Sequence, residues 1–317
     1  MKLTLALDWT PNTMHAGILV AEAKGYFEDN GLELEIVDPA SDNYATTPAK
    51  KLSQKLVDLA IAPSESVISY HMRKAPTPLV AVAANLQKDT SAIVTLERSG
   101  IDRPAKMDGK TFASYDARFE NDIIRQLVKN DGGKGEFEIS NPAILSMWDA
   151  LLESKADATW VFLPWEGMKA KYERDNLKFH AFQLANYDIP YGYSPLIISH
   201  QDIVDQKGAV IKAFLEAVEE GWRYVYESPG KAAKALHKHI KQPEFENLSF
   251  VEESLKILQP AITTSDDRWG FMEGERWVDF IDWMIQHQIL KDEEGIPMNH
   301  GQIDSSMLYT NEFFKEV

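Results

Sequence analysis

The chain has 317 residues, with 33 basic against 49 acidic side chains and a net charge of −16. That balance argues against a nucleic-acid partner, because phosphate binding needs clustered Lys and Arg. The absence of cysteine excludes disulfides, thiolate metal sites and a cysteine nucleophile, and the length suits about two domains. Leu3, Leu5 and Leu7 predict a first strand ending at Asp8, followed by a loop through Trp9, Pro11 and Asn12. Ala16 to Lys24 predicts a helix with Gly25 as its stop, and Leu32, Leu34 and Ile36 alternate as a second strand. This βαβ pattern implies a parallel sheet covered by helices.

A polar loop runs from Pro39 to Pro48. A helix is predicted over Ala49 to Leu56, a strand over Val57 to Ala62, and a helix over Val67 to Lys74 capped by Ser64 or Ser66. Leu79 to Asn85 reads as a strand, and Asn85-Leu86-Gln87 as the hinge into a second domain. There, strands are expected over Ser91 to Leu96, Lys110 to Ser114 and Ala158 to Leu163, with Phe137 and Ile139 in another. Helices are expected over Phe119 to Asn130 and Pro142 to Ser154. Asn186 to Tyr193 reads as the crossing back, and from Pro195 the composition turns helical. Trp222, Tyr226, Trp277 and Trp283 occupy apolar helical positions and read as core.

The residues at strand ends are the candidates for a site, since ligands gather where strands end and helices begin in open α/β sheets. Trp9 either stacks on a flat ring or packs on its own helix. Asn12 either caps that helix or meets a ligand, and His15 is either a ligand contact or a hydrogen-bonded structural histidine. His15 has no partner at metal-ligand spacing, so no metal is predicted. Glu65, with Ser64 beside it, either complements a helix dipole or accepts from a ligand amine. Ser114, Tyr115, Asp116 and Arg118 precede a helix whose N–H groups suit an anion or a carbonyl oxygen. Trp165 and Glu166 lie past an aromatic strand end. Asp8, Glu65, Glu166 and Asp188 are acidic, which suits a ligand with donor edges better than a sulfonate or nitrate.

The opening LDWTPNTMHAGILVAEAKGYFEDNGLELEI resembles the start of solute-binding proteins for thiamine-pyrimidine precursors, in the superfamily that includes alkanesulfonate binders and fungal hydroxymethylpyrimidine phosphate synthases. Asp108-Gly109-Lys110, NYDIPYGYSPLIIS from Asn186, WVDFIDWMIQHQIL from Trp277 and the terminal LYTNEFF also match. The resemblance implies a type II periplasmic-binding-protein fold of two α/β lobes, with residues 1–87 and 194–317 in one and 88–193 in the other. It implies a ligand cleft between them that closes by hinge motion. It assigns Tyr187, Asp188 and Tyr191 to the aromatic and polar wall around a pyrimidine.

The expected function is binding of an aminopyrimidine precursor without cofactor or catalysis, by a monomer that delivers it to an ABC permease or, in the cytoplasm, holds it for salvage. The alternatives are a binder of an alkanesulfonate or flavin precursor, or a synthase resembling the fungal enzymes. Those enzymes use pyridoxal phosphate on a lysine, an active-site histidine and a cysteine cluster. This chain has no cysteine, and Val57 to Pro63, where the resemblance puts the lysine, contains none. No apolar run reaches the ~18 residues of a membrane span. Met1-Lys2 leads straight into a strand, so the expected compartment is either the cytoplasm or, after removal of a leader, the periplasm or an extracytoplasmic lipid anchor.

Overall fold

A computed structural model gives the architecture and describes residues 1–173 and 177–314. The chain opens with β1 (Lys2–Ala6), buried at Leu3, Leu5 and Ala6. α1 (Ala16–Lys24) follows a short 3-10 turn and ends at Gly25, whose φ is +79°. That backbone is cheap for glycine and costly for a residue with a Cβ, so the sequence itself writes the stop. α2 (Tyr26–Asp29) leads to β2 (Glu33–Val37), which pairs in parallel with β1, Leu3 opposite Leu34 and Leu5 opposite Ile36. α3 (Pro48–Ser53), β3 (Leu59–Ala62), α4 (Ser64–His71) and β4 (Leu79–Ala84) continue the alternation.

A second series follows: β5 (Ser91–Leu96), β6 (Thr111–Ala113), α5 (Glu120–Asn130), β7 (Glu138–Ser140), α6 (Met147–Leu152), β8 (Ala158–Phe162), α7 (Met168–Tyr172) and β9 (Phe179–Phe182). The chain ends in β10 (Leu196–His200), α8 (Gln201–Glu227), α9 (Pro229–His239), α10 (Leu248–Ile262) and α11 (Gly274–Gln286). Among the described residues, no helix is long and apolar enough to cross a membrane.

Two compact units result. Unit one holds Met1–Asp89, Gly192–Gly274 and Ile303–Val317, and unit two holds Thr90–Tyr191 and Glu275–Gln302. The resemblance puts 194–317 together in one lobe, whereas Glu275–Gln302 falls in unit two. The cause is the apolar face of α11. Its Phe280 meets Tyr191 edge-on at 5.3 Å between ring centroids, and its Trp283 lines a cavity with Asp188 and Pro190. A helix buries such a face wherever a partner surface is available.

Each unit carries one five-stranded sheet, in the orders β2-β1-β3-β10-β4 and β7-β6-β8-β5-β9. Neither is purely parallel, as the βαβ pattern implied. β10 runs antiparallel to β3 and β4, and β5 antiparallel to β8 and β9. The fourth place in each sheet is thus filled by the strand that begins soon after the chain has left the other unit. The segment expected to be helical from Pro195 starts with β10, all five of whose residues are buried. A strand buried on both faces shows no alternation, and this hides it from a period-based reading.

The core of unit one is set by α8 crossing α1. Trp222 is fully buried, and a Cβ on Gly17 would overlap its indole. A Cβ on Gly221 would overlap the Gly17 carbonyl oxygen. Trp277 and Trp283 are buried as expected, but Tyr226 is 47% exposed, on the outer face of α8.

Candidate ligand-binding site

In unit one the loop after β1 is held from within. The Asn12 side chain accepts from the Met14 N–H (2.8 Å) and donates to the Thr10 carbonyl (3.0 Å), capping the 3-10 turn Thr13–His15. His15 is 1% exposed. Its Nδ1 faces the Asn12 N–H at 3.4 Å and its Nε2 faces Asp8 Oδ1 at 2.8 Å. An Nδ1 that accepts leaves the proton on Nε2, so the imidazole donates to Asp8 and aims its carboxylate. The Asp8 side chain is 31% exposed. Asp8 is therefore the member of this trio that reaches solvent, and Asn12 and His15 stand behind it.

Trp9, half-buried, is flanked by Tyr44, with ring centroids 5.4 Å apart and planes at 58°. The Tyr44 hydroxyl accepts from the Thr10 N–H at 3.3 Å. Asn43 and Tyr44 both have positive φ, 52° and 61°, a strained backbone that recurs at functional sites. Beneath the loop, Asn85 is fully buried. Its Nδ2 donates to the Met14 carbonyl (2.8 Å), its Oδ1 accepts from the Trp222 indole (3.1 Å), and its carbonyl accepts from the Trp269 indole (3.2 Å). A buried amide with these partners locks the loop to the core.

Ser64 and Glu65 open α4 at the end of β3, and both are buried. The helix N-cap is Pro63, so neither Ser64 nor Ser66 caps it as expected. The Ser64 hydroxyl faces Glu65 Oε2 at 3.3 Å.

In unit two the turn between β6 and α5 is folded back on a carboxylate. Glu120, the first residue of α5, is 3% exposed. It accepts from the Ser114 hydroxyl (2.8 Å), the Ala117 N–H (3.1 Å) and the Tyr115 N–H (3.3 Å). The Asp116 N–H donates to Ser114 Oγ at 3.0 Å. Burial raises the Glu120 carboxyl above its ordinary value, and its hydrogen bonds offset only part of that rise. Tyr115 is half-buried, and its hydroxyl faces Glu166 Oε1 at 3.4 Å. Burial, with the Glu166 and Glu120 carboxylates nearby, pushes that phenol well above its ordinary value. Glu166 sits in a π-turn (Leu163–Gly167) directly after β8, and its Oε2 accepts from the Phe162 N–H at 2.7 Å. Trp165 is buried in the same turn, with Lys169 Nζ 5.5 Å from its ring centre. Ser114, Tyr115 and Glu166 are thus brought together, with Trp165 next in the chain.

Tyr187 and Asp188 do not join them. The Tyr187 carbonyl accepts from Asn130 Nδ2 at 2.6 Å, at the far end of α5 from Glu120. Ten residues of helical rise separate those ends by about 15 Å. Asp188, exposed and at φ +56°, lines a cavity of about 540 Å³ with Asp279, Asp282 and Trp283 of α11. Tyr191 packs between the rings of Trp160 (5.5 Å) and Phe280 (5.3 Å). Among the described residues, no group of three or more His, Cys, Asp or Glu is placed to hold a metal ion.

Sequence reasoning passed over Tyr44, Asn85 and Glu120 as members of these clusters. Tyr44 lies in a polar loop without periodicity, and its ring meets Trp9 only through tertiary folding. Asn85 ends an apolar strand at the expected hinge, and a lone amide in that place signals a buried polar partner. Glu120 carried one local sign, a carboxylate at the start of a helix.

The sequence pattern of the family described as NMT1/THI5 like matches residues 12–232. The chain is 26% identical over 287 residues to the formylaminopyrimidine-binding protein of Halalkalibacterium halodurans, covering 90% of this chain and 85% of the relative. It is 25% identical over 242 residues to the 4-amino-5-hydroxymethyl-2-methylpyrimidine phosphate synthase THI5 of Saccharomyces cerevisiae, covering 74% and 69%. Among solved structures it is similar to the alkanesulfonate-binding protein SsuA from Xanthomonas axonopodis pv. citri bound to MOPS. The TM-score is 0.70 at 11% identity, covering 93% of this chain and 96% of that one. The fold is that of the type II periplasmic binding proteins.

Proposed function

The chain belongs to the NMT1/THI5-like family, and from that premise we propose that it binds an aminopyrimidine precursor of thiamine without transforming it. The observation that carries this reading is the Asp8–His15 pair beside Trp9 and Tyr44. A carboxylate held in place by a buried imidazole accepts from the amino edge of a heteroaromatic ring. An indole next to it offers the ring a flat apolar face. Asn12 holds the loop that presents both. Ser64 and Glu65 at the end of β3 are proposed as further polar contacts; within unit two, Tyr115 with Glu166 is proposed separately as a polar pair suited to a donor edge. The relative named for binding formylaminopyrimidine supports the ligand class. Delivery to an ABC permease outside the cytoplasm belongs to the same reading and is supported by the fold shared with a solute-binding protein.

The residues do not fit pyridoxal phosphate. β3 is Leu59-Ala60-Ile61-Ala62, four buried apolar residues without an amine. Lys51, the buried lysine of the neighbouring α3, is paired with Asp42 at 3.0 Å. The N–H groups of Tyr115 and Ala117, which would suit the cofactor's phosphate, face Glu120 instead.

Calorimetry with formylated and hydroxymethylated aminopyrimidines, set against alkanesulfonates and nitrate, tests the proposal. Saturable binding of a pyrimidine with no response to the anions is expected. Tight sulfonate binding without a pyrimidine response would sink it.

A further inference from the structure

A strand-to-helix turn rich in N–H donors is a ready anion site, because the helix N-terminus adds partial positive charge to the free donors. The turn from Ser114 to Glu120 has this form. Asp116 and Phe119 both adopt positive φ, 58° and 67°, and so curl the chain back on itself. The donors converge, however, on a group the chain supplies itself. Glu120 places two carboxylate oxygens against the Ser114 hydroxyl and the N–H groups of Tyr115 and Ala117, and it does so at the first position of α5. Each of those partners donates, and the carboxylate accepts. This is the pattern of a bound anion rather than of a neutral acid, which would turn one oxygen into a donor.

We propose that Glu120 is a resident anion that fills the oxyanion cradle of unit two and thereby bars sulfonates, phosphates and other external anions from it. The inference deepens the function proposed above and rests on it only for the identity of the ligand that is admitted. Filling the cradle from within has two consequences. No N–H of Tyr115 or Ala117 is left for a ligand's acidic group. The ring of Tyr115 is also held by its own backbone at a fixed place, where its hydroxyl meets Glu166. A chain with a small residue at position 120 would present the same turn as an open anion site.

The test empties the cradle. Glu120→Ala removes the carboxylate and leaves the donors, and Glu120→Gln keeps the shape without the charge. Unfolding midpoints are measured in chloride, acetate, sulfate and methanesulfonate at one ionic strength, and the amide signals of residues 115 and 117 are followed by NMR. In Glu120→Ala, acetate and sulfate are expected to raise the midpoint and shift both amides with saturation. Its affinity for these anions should exceed that of the wild type at least about tenfold. Wild type and Glu120→Gln should show neither response. Equal anion effects in all three proteins, or amides of 115 and 117 that do not move in Glu120→Ala, overturn the proposal. Should Glu120→Ala fail to fold, a pH titration decides. In the wild type the two amides must titrate together with a single carboxyl, and in Glu120→Gln that transition must vanish. Amides that ignore the titration refute it. None of these readouts uses a pyrimidine, so a failure here is separate from a failure of the proposed ligand.

Discussion

Asp8 and Trp9 divide the work proposed for unit one between charge and surface. Replacing Asp8 by Asn keeps the size of the side chain and removes the anionic acceptor. The expected loss is about 1.5–3 kcal/mol of aminopyrimidine binding, the range for hydrogen bonds to a charged group. Trp9→Ala removes the face and should weaken binding by roughly 1–3 kcal/mol, as for other base–aromatic stacks. Titration calorimetry of both variants, with circular dichroism to show that each is folded, checks these values. Unchanged affinity in a folded variant rejects the role of that residue. At Asp131 the consequence concerns stability. Arg103 grips this carboxylate through Nε (2.8 Å) and Nη2 (2.7 Å), and the Ala105 N–H adds a third bond at 2.8 Å. The guanidinium beside it holds the Asp131 carboxyl below the usual range. A folded value below the unfolded one means that the unfolded chain takes up the proton first. The stabilisation is therefore present above the ordinary carboxylate value and is lost as pH falls through the folded one. Because the Arg103 side chain is 55% exposed, Asp131→Asn should cost only about 1 kcal/mol near neutrality. The gap to the wild type should narrow in urea titrations toward pH ~3. A gap that stays constant with pH removes the charge from the explanation.

At the scale of elements, α1 and α8 approach as closely as their glycines allow. Gly221 lies against the Gly17 backbone, and Gly17 lies under the Trp222 indole. Gly221→Ala should force the helices apart and destabilise the protein by about 1–3 kcal/mol, the usual cost of overpacking a core. Denaturant midpoints measure this, and a neutral result would mean that the crossing has slack. Such a crossing is not legible in the sequence, since neither glycine breaks the helical pattern around it. Other elements were legible. The alternation of Leu3 and Leu5 and the stop at Gly25 are local signals, and β1 and α1 follow from them. β10 was missed because burial on both faces erases the period-2 signal. β9, only four residues long, offered little pattern of its own. The site divides in the same way. Asp8, Trp9, Asn12 and His15 sit within eight residues, so their cluster is visible as a motif. Glu120 meets Ser114 only through two left-handed residues in between, and no sequence period encodes that.

For the whole molecule the governing question is whether binding leads to chemistry. A synthase relative and a binding relative match this chain with comparable identity, 25% and 26%. Fold alone therefore does not separate them. The proposal that the ligand is not transformed rests on the inventory of the chain. It has no cysteine. β3 lacks a lysine, and His15 is committed to Asp8 and to the Asn12 N–H. His71, the last residue of α4, faces the Leu79 carbonyl at 2.8 Å. A lone histidine can still move a proton, but both ring nitrogens of His15 already face partners. The expectation is that an aminopyrimidine bound to this protein is released unchanged. At about 100 times its dissociation constant the ligand should add about 2.7 kcal/mol to the unfolding free energy. Mass spectrometry after long incubation with pyridoxal phosphate, iron and oxygen should return the ligand intact, with no new pyrimidine phosphate. Cofactor absorbance that survives dialysis, disappears in a single lysine variant and comes with product would make the chain an enzyme. Cofactor held loosely at surface lysines, without product, leaves it a binding protein, because attachment at an exposed amine needs no site.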